Sequence, residues 1–110
     1  MALTKREFAV GMAPVLAVWP KEAPPPETLA IYHRLLGHIP ADLFNAAVFV
    51  MLQEKTFGFP KPHDFIEAAV SVLMLRENLS REWARQTLGD YREAYLQLEA
   101  GKPLQIEGEV

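Results

Sequence analysis

Residues 57–65, Phe-Gly-Phe-Pro-Lys-Pro-His-Asp-Phe, constrain the fold more than any other stretch of the chain. They separate the two most hydrophobic runs, residues 43–52 and 65–75. Glycine and proline interrupt helical backbone, so the stretch predicts a turn between two helices. Its three aromatic side chains exceed what a solvated loop needs. We therefore expect the turn to be packed into the core and to lock the two helices together.

Composition indicates one globular domain. The chain has 110 residues, half of them hydrophobic and 23% charged, which suits one modest core. It contains no cysteine, which excludes disulfides, thiolate catalysis and cysteine-ligated zinc. The net charge of -3 disfavours nucleic acid as the main partner, because dedicated DNA-binding domains are usually basic. We expect a cytoplasmic protein, since the apolar runs are too short to span a bilayer and the N-terminus is unlike a signal peptide.

The first predicted helix has a clear start signal. Thr4 and Glu7 fit a capping box, with Thr4 as the N-cap. Pro14 falls inside the helical pattern, so we expect a kink or break in this part of the helix. Trp19, followed by proline, is expected to end it.

Apolar periodicity and cap signals predict four further helices. They cover about residues 26–36, 41–55, 62–77 and 81–100, with Gly37 as the expected C-cap of the first of these and Ser80 as the expected N-cap of the last. The helix over residues 41–55 is apolar nearly all round, which predicts a central, buried helix. The fold class is therefore predicted to be all-α, a single-domain bundle of about five helices over residues 1–100. Gly101 and Pro103 predict the end of the last helix, and residues 101–110 are expected to form a flexible acidic tail.

No pattern of catalytic or metal-ligating residues stands out. His33, His38 and His63 are separated by a predicted helix end, whereas a metal site needs three or four converging ligands. Asp64 and the other carboxylates fit helix N-termini or solvated faces, and the chain has no phosphate-binding glycine loop. We predict a protein that is not an enzyme and has no catalytic, cofactor-binding or metal-binding residues.

A helix–turn–helix arrangement for DNA binding is a weaker alternative. The third and fourth predicted helices could form one, but their connection is long and the fourth helix lacks a basic face. Arginines at positions 76, 81, 85 and 92 are interleaved with acidic residues, which is typical of a solvated face. We therefore disfavour direct binding of nucleic acid.

The fifth predicted helix carries a regular seam. Ala84, Leu88, Tyr91, Tyr95 and Leu98 follow one another at steps of four and three residues, with charged residues between them. The seam either packs back onto the bundle or projects and binds a partner or a second copy. Because such side chains anchor protein interfaces, Tyr91, Tyr95 and Leu98 are the candidate partner-binding residues.

Residues 8–69 carry an ordered set of aromatic, leucine, alanine and proline positions. The set comprises Val18-Trp19-Pro20, Glu27-Thr28-Leu29 with Tyr32 and Leu35-Leu36, residues 43–48 with Ala46-Ala47, and Phe59-Pro60-Lys61-Pro62-His63-Asp64-Phe65. In this order the chain resembles the phage replicative-helicase loader/inhibitor family. That family has an aromatic–proline pair, a helix with an aromatic and a leucine near its end, an apolar helix, and a Phe-Pro-Pro-type turn into another helix.

The resemblance implies a small helical adaptor that acts by binding and not by catalysis. Such proteins bind the hexameric replicative helicase, hold it inactive and deliver it to an initiator protein at a replication origin. The expected partners are therefore a replicative helicase and a replication initiator protein, with a homodimer as a further option and no membrane. The alternatives are a self-associating helical regulator that uses the seam of the fifth helix and, less favoured, a DNA-binding domain.

Overall fold

Five α-helices account for most of the chain in the computed structural model, which describes residues 3–54 and 58–109. The helices are α1 (Lys5–Val18), α2 (Pro26–Leu36), α3 (Ala41–Glu54), α4 (Pro62–Glu77) and α5 (Arg81–Glu109). No strand occurs within these described ranges. The prediction of an all-α, single-domain bundle of about five helices is confirmed.

The α1 helix begins as predicted but does not break. The backbone N–H of Thr4 donates to Glu7 Oε1 at 2.9 Å, and that of Glu7 donates to Thr4 Oγ1 at 3.1 Å, which completes the capping box. The helix continues through Pro14 to Val18, so a break is excluded, whereas the alternative of a kink stays a prediction. Pro14 and Val10 both lie on the exposed face. Water can therefore bind the Val10 carbonyl that loses its amide partner.

The turn over residues 58–61 packs into the core, as predicted. Phe59 is half-buried, and its ring lies edge-on to Trp19 and Tyr32 at centroid distances of 6.4 and 6.0 Å. The turn therefore joins the end of α1 and the middle of α2, contacts that the sequence analysis did not predict. Phe57 lies outside the described residues.

The α4 helix is locked to α3 through aromatic stacking. Phe65 is fully buried, and its ring stacks on Phe44 with centroids 5.8 Å apart. At the start of α4, the backbone N–H of Lys61 donates to Asp64 Oδ2 at 2.8 Å, the helix-start role expected of Asp64. Asn78 ends α4 in the left-handed conformation.

The α3 helix is central, but one of its faces reaches solvent. It forms the most extensive helix–helix contact of the fold with α4, and the next most extensive with α1. Five of its side chains are buried, whereas Phe49 is 62% exposed. The prediction that α3 is buried nearly all round is therefore wrong on this face.

A glycine permits the close approach of α1 to α3. A Cβ placed on Gly11 would lie 2.5 Å from Phe44 Cε2 and 2.9 Å from Asn45 Oδ1. Because Phe44 is fully buried, its ring has little room to move away. Only a residue without a side chain fits between these two helices.

The α5 helix starts as predicted and ends later. Trp83 N–H donates to Ser80 Oγ at 3.2 Å, which confirms Ser80 as the N-cap. The helix then runs to Glu109, so the predicted end at Gly101 is wrong. Glycine and proline raise the cost of helical backbone without forbidding it, as Pro14 in α1 also illustrates. The expected mobility of residues 101–110 stays a prediction.

Length and polarity keep every single helix in the described residues below what a membrane span requires. The α2 and α3 helices meet the length and composition requirement only as a pair, and that pair is bent by 117°.

Candidate partner-binding cleft

The seam of α5 divides into a packed half and an exposed half. Ala84 and Leu88 are buried against the bundle, where α5 contacts α4. Beyond them, Tyr91 is 36% exposed and Leu98 is 63% exposed, while Tyr95 is half-buried. The structure thus bears out parts of both alternatives, because the seam packs back on the bundle at its start and reaches solvent further on.

Tyr95 lies against the end of α2. A Cβ placed on Gly37 would lie 2.7 Å from Tyr95 Oη and 2.9 Å from Tyr95 Cζ. Gly37 caps α2 as predicted, but in the right-handed conformation (φ -62°), which any residue adopts. Glycine is therefore needed here for the tyrosine contact and not for the backbone angle.

A cleft of about 330 Å³ lies between α2 and α5, and we call it the α2–α5 cleft. Its lining side chains are Ile31, Arg34, Leu35, His38, Arg92, Tyr95 and Leu96. A second cavity of about 440 Å³ shares Leu35, His38 and Arg92 with it and extends toward the start of α4. The two cavities form one continuous depression on this side of the bundle.

The depression is basic, although the whole chain is acidic. Arg34 and Arg92 line the cleft, and Arg85 and His63 line the second cavity. Within the described chain, neither cavity has an aspartate or glutamate in its lining. Arg34 and Arg92, from α2 and α5, therefore converge on one surface, and neither pairs with a carboxylate among the described residues, whereas Arg85 pairs with Glu67.

His38 forms part of the floor that the two cavities share. It is 5% exposed, so its imidazole is almost completely shielded from solvent. Burial, together with the nearby positive charge of Arg92, lowers the pKa of His38 to about 4, although a hydrogen bond to the Leu35 backbone acts in the opposite direction. The imidazole is therefore neutral near pH 7, and the positive charge of the floor comes from the arginines.

The other two histidines have separate positions. His33 Nε2 lies 2.7 Å from the carbonyl oxygen of Leu3, and its ring lies 5.0 Å from that of Phe8, so it joins α2 to the start of α1. His63 is exposed at the start of α4. In the parts of the chain that were described, no three histidine, cysteine, aspartate or glutamate side chains come close enough to hold a metal ion.

Most of the arginines noted in the sequence analysis are paired with carboxylates. Arg76 lies 3.0 Å from Asp42, while Arg81 and Arg85 lie 3.5 and 2.9 Å from Glu67. These exposed pairs reduce the free positive charge on the outside of α4 and α5. Arg92 is the exception, because it faces the α2–α5 cleft.

A third cavity, of about 500 Å³, lies between α1 and α2. Its floor is formed by Phe8 and Met12, which are buried, and by Leu16 and Leu29, which are half-buried. This groove is mainly apolar, with Lys5 and His33 among its polar lining residues. It shares Arg34 with the α2–α5 cleft, and no described residue of α5 lines it.

The sequence analysis found Tyr95 as a candidate but missed Arg34, Leu35 and Leu96, and it weighed His38 only as a metal ligand. The spacing of these residues in the sequence could have indicated which of them lie on the same side of each helix. Residues 31, 34 and 35 share one face of α2, residue 38 follows just after its end, and residues 85, 88, 92, 95 and 96 share one face of α5. The sequence does not show that these two faces meet, because the contact joins residues about 60 positions apart in the chain.

The fold and the cleft together define a small all-α protein with a basic, partly apolar depression beside α5. No protein-family model, no curated protein and no solved structure matches this chain.

Proposed function

We propose that this protein is a non-catalytic adaptor of phage-type DNA replication, which binds a hexameric replicative helicase and inhibits or loads it. The observation that carries the proposal is the exposed stretch of α5 over residues 91–98. Tyr91, Leu96 and Leu98 are exposed there beside a basic cleft. Exposed aromatic and aliphatic side chains next to arginines are typical of protein interfaces.

Several residues of the family resemblance are neighbours in space. Trp19 and Tyr32 both contact the ring of Phe59, and Tyr32 Oη donates to the Pro60 carbonyl at 2.9 Å. Phe65 packs edge-on against Tyr32 at 6.2 Å. These residues therefore pack together at the junction of α1, α2 and the turn before α4, which is the part of the chain on which the resemblance rests.

Complex formation tests the proposal. We expect the protein to elute together with a purified hexameric replicative helicase in size-exclusion chromatography with light scattering, at micromolar concentrations. Leu98→Glu should weaken the complex, because it places a charge in the exposed apolar half of α5. Leu75→Glu is the matched control, since Leu75 is 86% exposed on α4 and does not line the cleft. Absence of any complex with the wild-type protein would refute the proposal.

Self-association is the second candidate function, and the same exposed half of α5 favours it. Two copies could bury Tyr91 and Leu98 against each other as in a short coiled coil. Sedimentation of the wild type and of Leu98→Glu decides the matter. A dimer that dissociates in the variant supports self-association, and a monomer in both rules it out. Leu98 is a better target than Tyr95, whose ring also packs against Gly37.

A further inference from the structure

We propose that the α2–α5 cleft binds an acidic amphipathic helix supplied by a partner protein. This inference rests on the proposed function only for the identity of that partner, the helicase. It adds the chemical class of the segment that is recognised: aliphatic side chains on one face, flanked by glutamates or aspartates.

Charge is the first argument for an acidic segment. Arg34 on α2 and Arg92 on α5 line the same cleft from opposite walls. Neither arginine forms an ion pair with another residue in the described part of the chain. Both guanidinium groups are therefore available to carboxylates of a second molecule, and arginine pairs with carboxylates through two parallel hydrogen bonds.

Exposed aliphatic side chains are the second argument. Ile31 is 54% exposed, Leu35 is 47% exposed and Leu96 is 46% exposed, and all three line the cleft. Ile31 and Leu35 are one helical turn apart, so they present a stripe along α2. A helix that places leucines on this stripe can bury them and set its acidic residues beside the arginines.

The lining favours a polypeptide over a nucleotide or nucleic acid. Protein sites for phosphates use backbone N–H groups at helix N-termini or glycine loops, whereas this cleft is lined mainly by side chains from within α2 and α5. Tyr95 is its one aromatic lining residue, and it is held against Gly37. Single-stranded nucleic acid is bound by successive aromatic platforms, which this surface does not provide.

The experiment uses the full chain labelled with ¹⁵N and a pair of helical peptides as probes. Each peptide has about 18 residues, a length of five helical turns, and carries the same leucine face. Glutamates flank the leucines in one peptide and lysines in the other. A thymidine oligonucleotide of similar length is the third probe. Amide chemical shifts are followed during titration with each probe.

We expect the glutamate peptide to shift the amides of Arg34, Leu35, Arg92 and Leu96 and to saturate, and the lysine peptide to bind at least about ten-fold more weakly. The double variant Arg34→Glu/Arg92→Glu should reverse this preference. Arg6→Glu/Lys21→Glu is the matched control, since it makes the same charge change at exposed positions outside the cleft and should behave as the wild type.

Three results would overturn the inference. The first is equal binding of the two peptides at the cleft, and the second is absence of shifts there with the glutamate peptide. The third is tighter binding of the oligonucleotide than of the glutamate peptide.

The helicase complex separates this inference from the proposed function. If the wild type and Arg34→Glu/Arg92→Glu bind the helicase equally well, the proposed function stands and this inference fails. If the glutamate peptide binds the cleft as expected but the helicase does not bind, the inference about the cleft stands and the proposed function fails.

Discussion

At the scale of residues, the contact between Tyr32 and Pro60 connects α2 to the turn that starts α4. The Tyr32 hydroxyl donates to the Pro60 carbonyl at 2.9 Å, and Pro60 is fully buried. Burial, with a smaller contribution from the charge of Asp64, raises the pKa of Tyr32. The hydroxyl therefore stays protonated and able to donate across the ordinary pH range.

Removal of this hydroxyl should lower stability. Tyr32→Phe leaves the buried Pro60 carbonyl without its donor, which costs about 1–2 kcal/mol of the free energy of unfolding. Urea unfolding followed by circular dichroism measures the loss. Tyr91→Phe is the control, because the exposed side chain of Tyr91 should lose close to nothing. Equal effects of the two variants would contradict the role given to Tyr32.

His38 should make stability depend on pH. Its pKa is about 4 in the folded chain against an ordinary value of 6.5. Between these values the unfolded chain binds a proton that the folded chain does not, so the free energy of unfolding falls as the pH falls. It is insensitive to His38 above about pH 7. Between about pH 6.5 and pH 5 the expected loss reaches about 2 kcal/mol.

The comparison with His38→Gln isolates this contribution. Glutamine does not titrate, so the stability of the variant should change less over the same pH range. The remaining histidines, His33 and His63, are present in both proteins. Thermal unfolding at several pH values measures how the stability of each protein depends on pH. Parallel curves of stability against pH for the two proteins would show that His38 does not cause the dependence.

Some single-residue roles were predictable from the sequence, and others were not. Thr4 and Glu7 were identified because a capping box is local and needs only residues three positions apart. Gly37 was identified as a cap, but its reason was missed. The close approach of Tyr95 depends on a contact that local sequence does not encode.

At the scale of elements, α1 and α3 pack closely against each other because Gly11 has no side chain. Gly11→Ala should destabilise the protein by about 1–3 kcal/mol, because the new Cβ would meet the buried ring of Phe44. Gly89→Ala is the matched control on α5, where a Cβ would meet no atom within 4 Å. That variant should gain about 0.5–1 kcal/mol from improved helix propensity.

Chemical unfolding of the two alanine variants tests the junction. Opposite signs of the two stability changes support it. A gain in stability for Gly11→Ala would mean that α1 and α3 do not pack as closely as the structure has them.

The existence and order of the helices followed from the sequence because apolar periodicity and cap residues act locally. The bounds of α2 were predicted to the residue. The continuation of α1 through Pro14 and of α5 beyond Gly101 was not predicted. Proline and glycine raise the free energy of a helix, but the sequence does not show whether contacts with the rest of the protein offset that cost. The exposure of Phe49 was missed because an apolar side chain does not reveal which face of α3 lacks a neighbour.

At the scale of the whole molecule, the protein is more extended than a sphere-like domain of its length. Its radius of gyration is 15.0 Å, against about 13 Å expected for 110 residues, and its extents are 49 × 36 × 17 Å. The length of α5, 29 residues or about 44 Å, is one source of this shape. Residues 91–98 of α5, apart from the half-buried Tyr95, and several side chains of the α2–α5 cleft are exposed on this body.

The central claim is that this face of the protein acts on a replicative helicase. The most direct measurement is the ATPase rate of the purified hexameric helicase, titrated with wild-type protein, Leu98→Glu and Leu75→Glu. We predict that the wild type and Leu75→Glu change the rate with the same midpoint concentration, and that Leu98→Glu requires at least about ten-fold more protein. An unchanged rate with the wild type, or the same midpoint for Leu98→Glu, would contradict the claim.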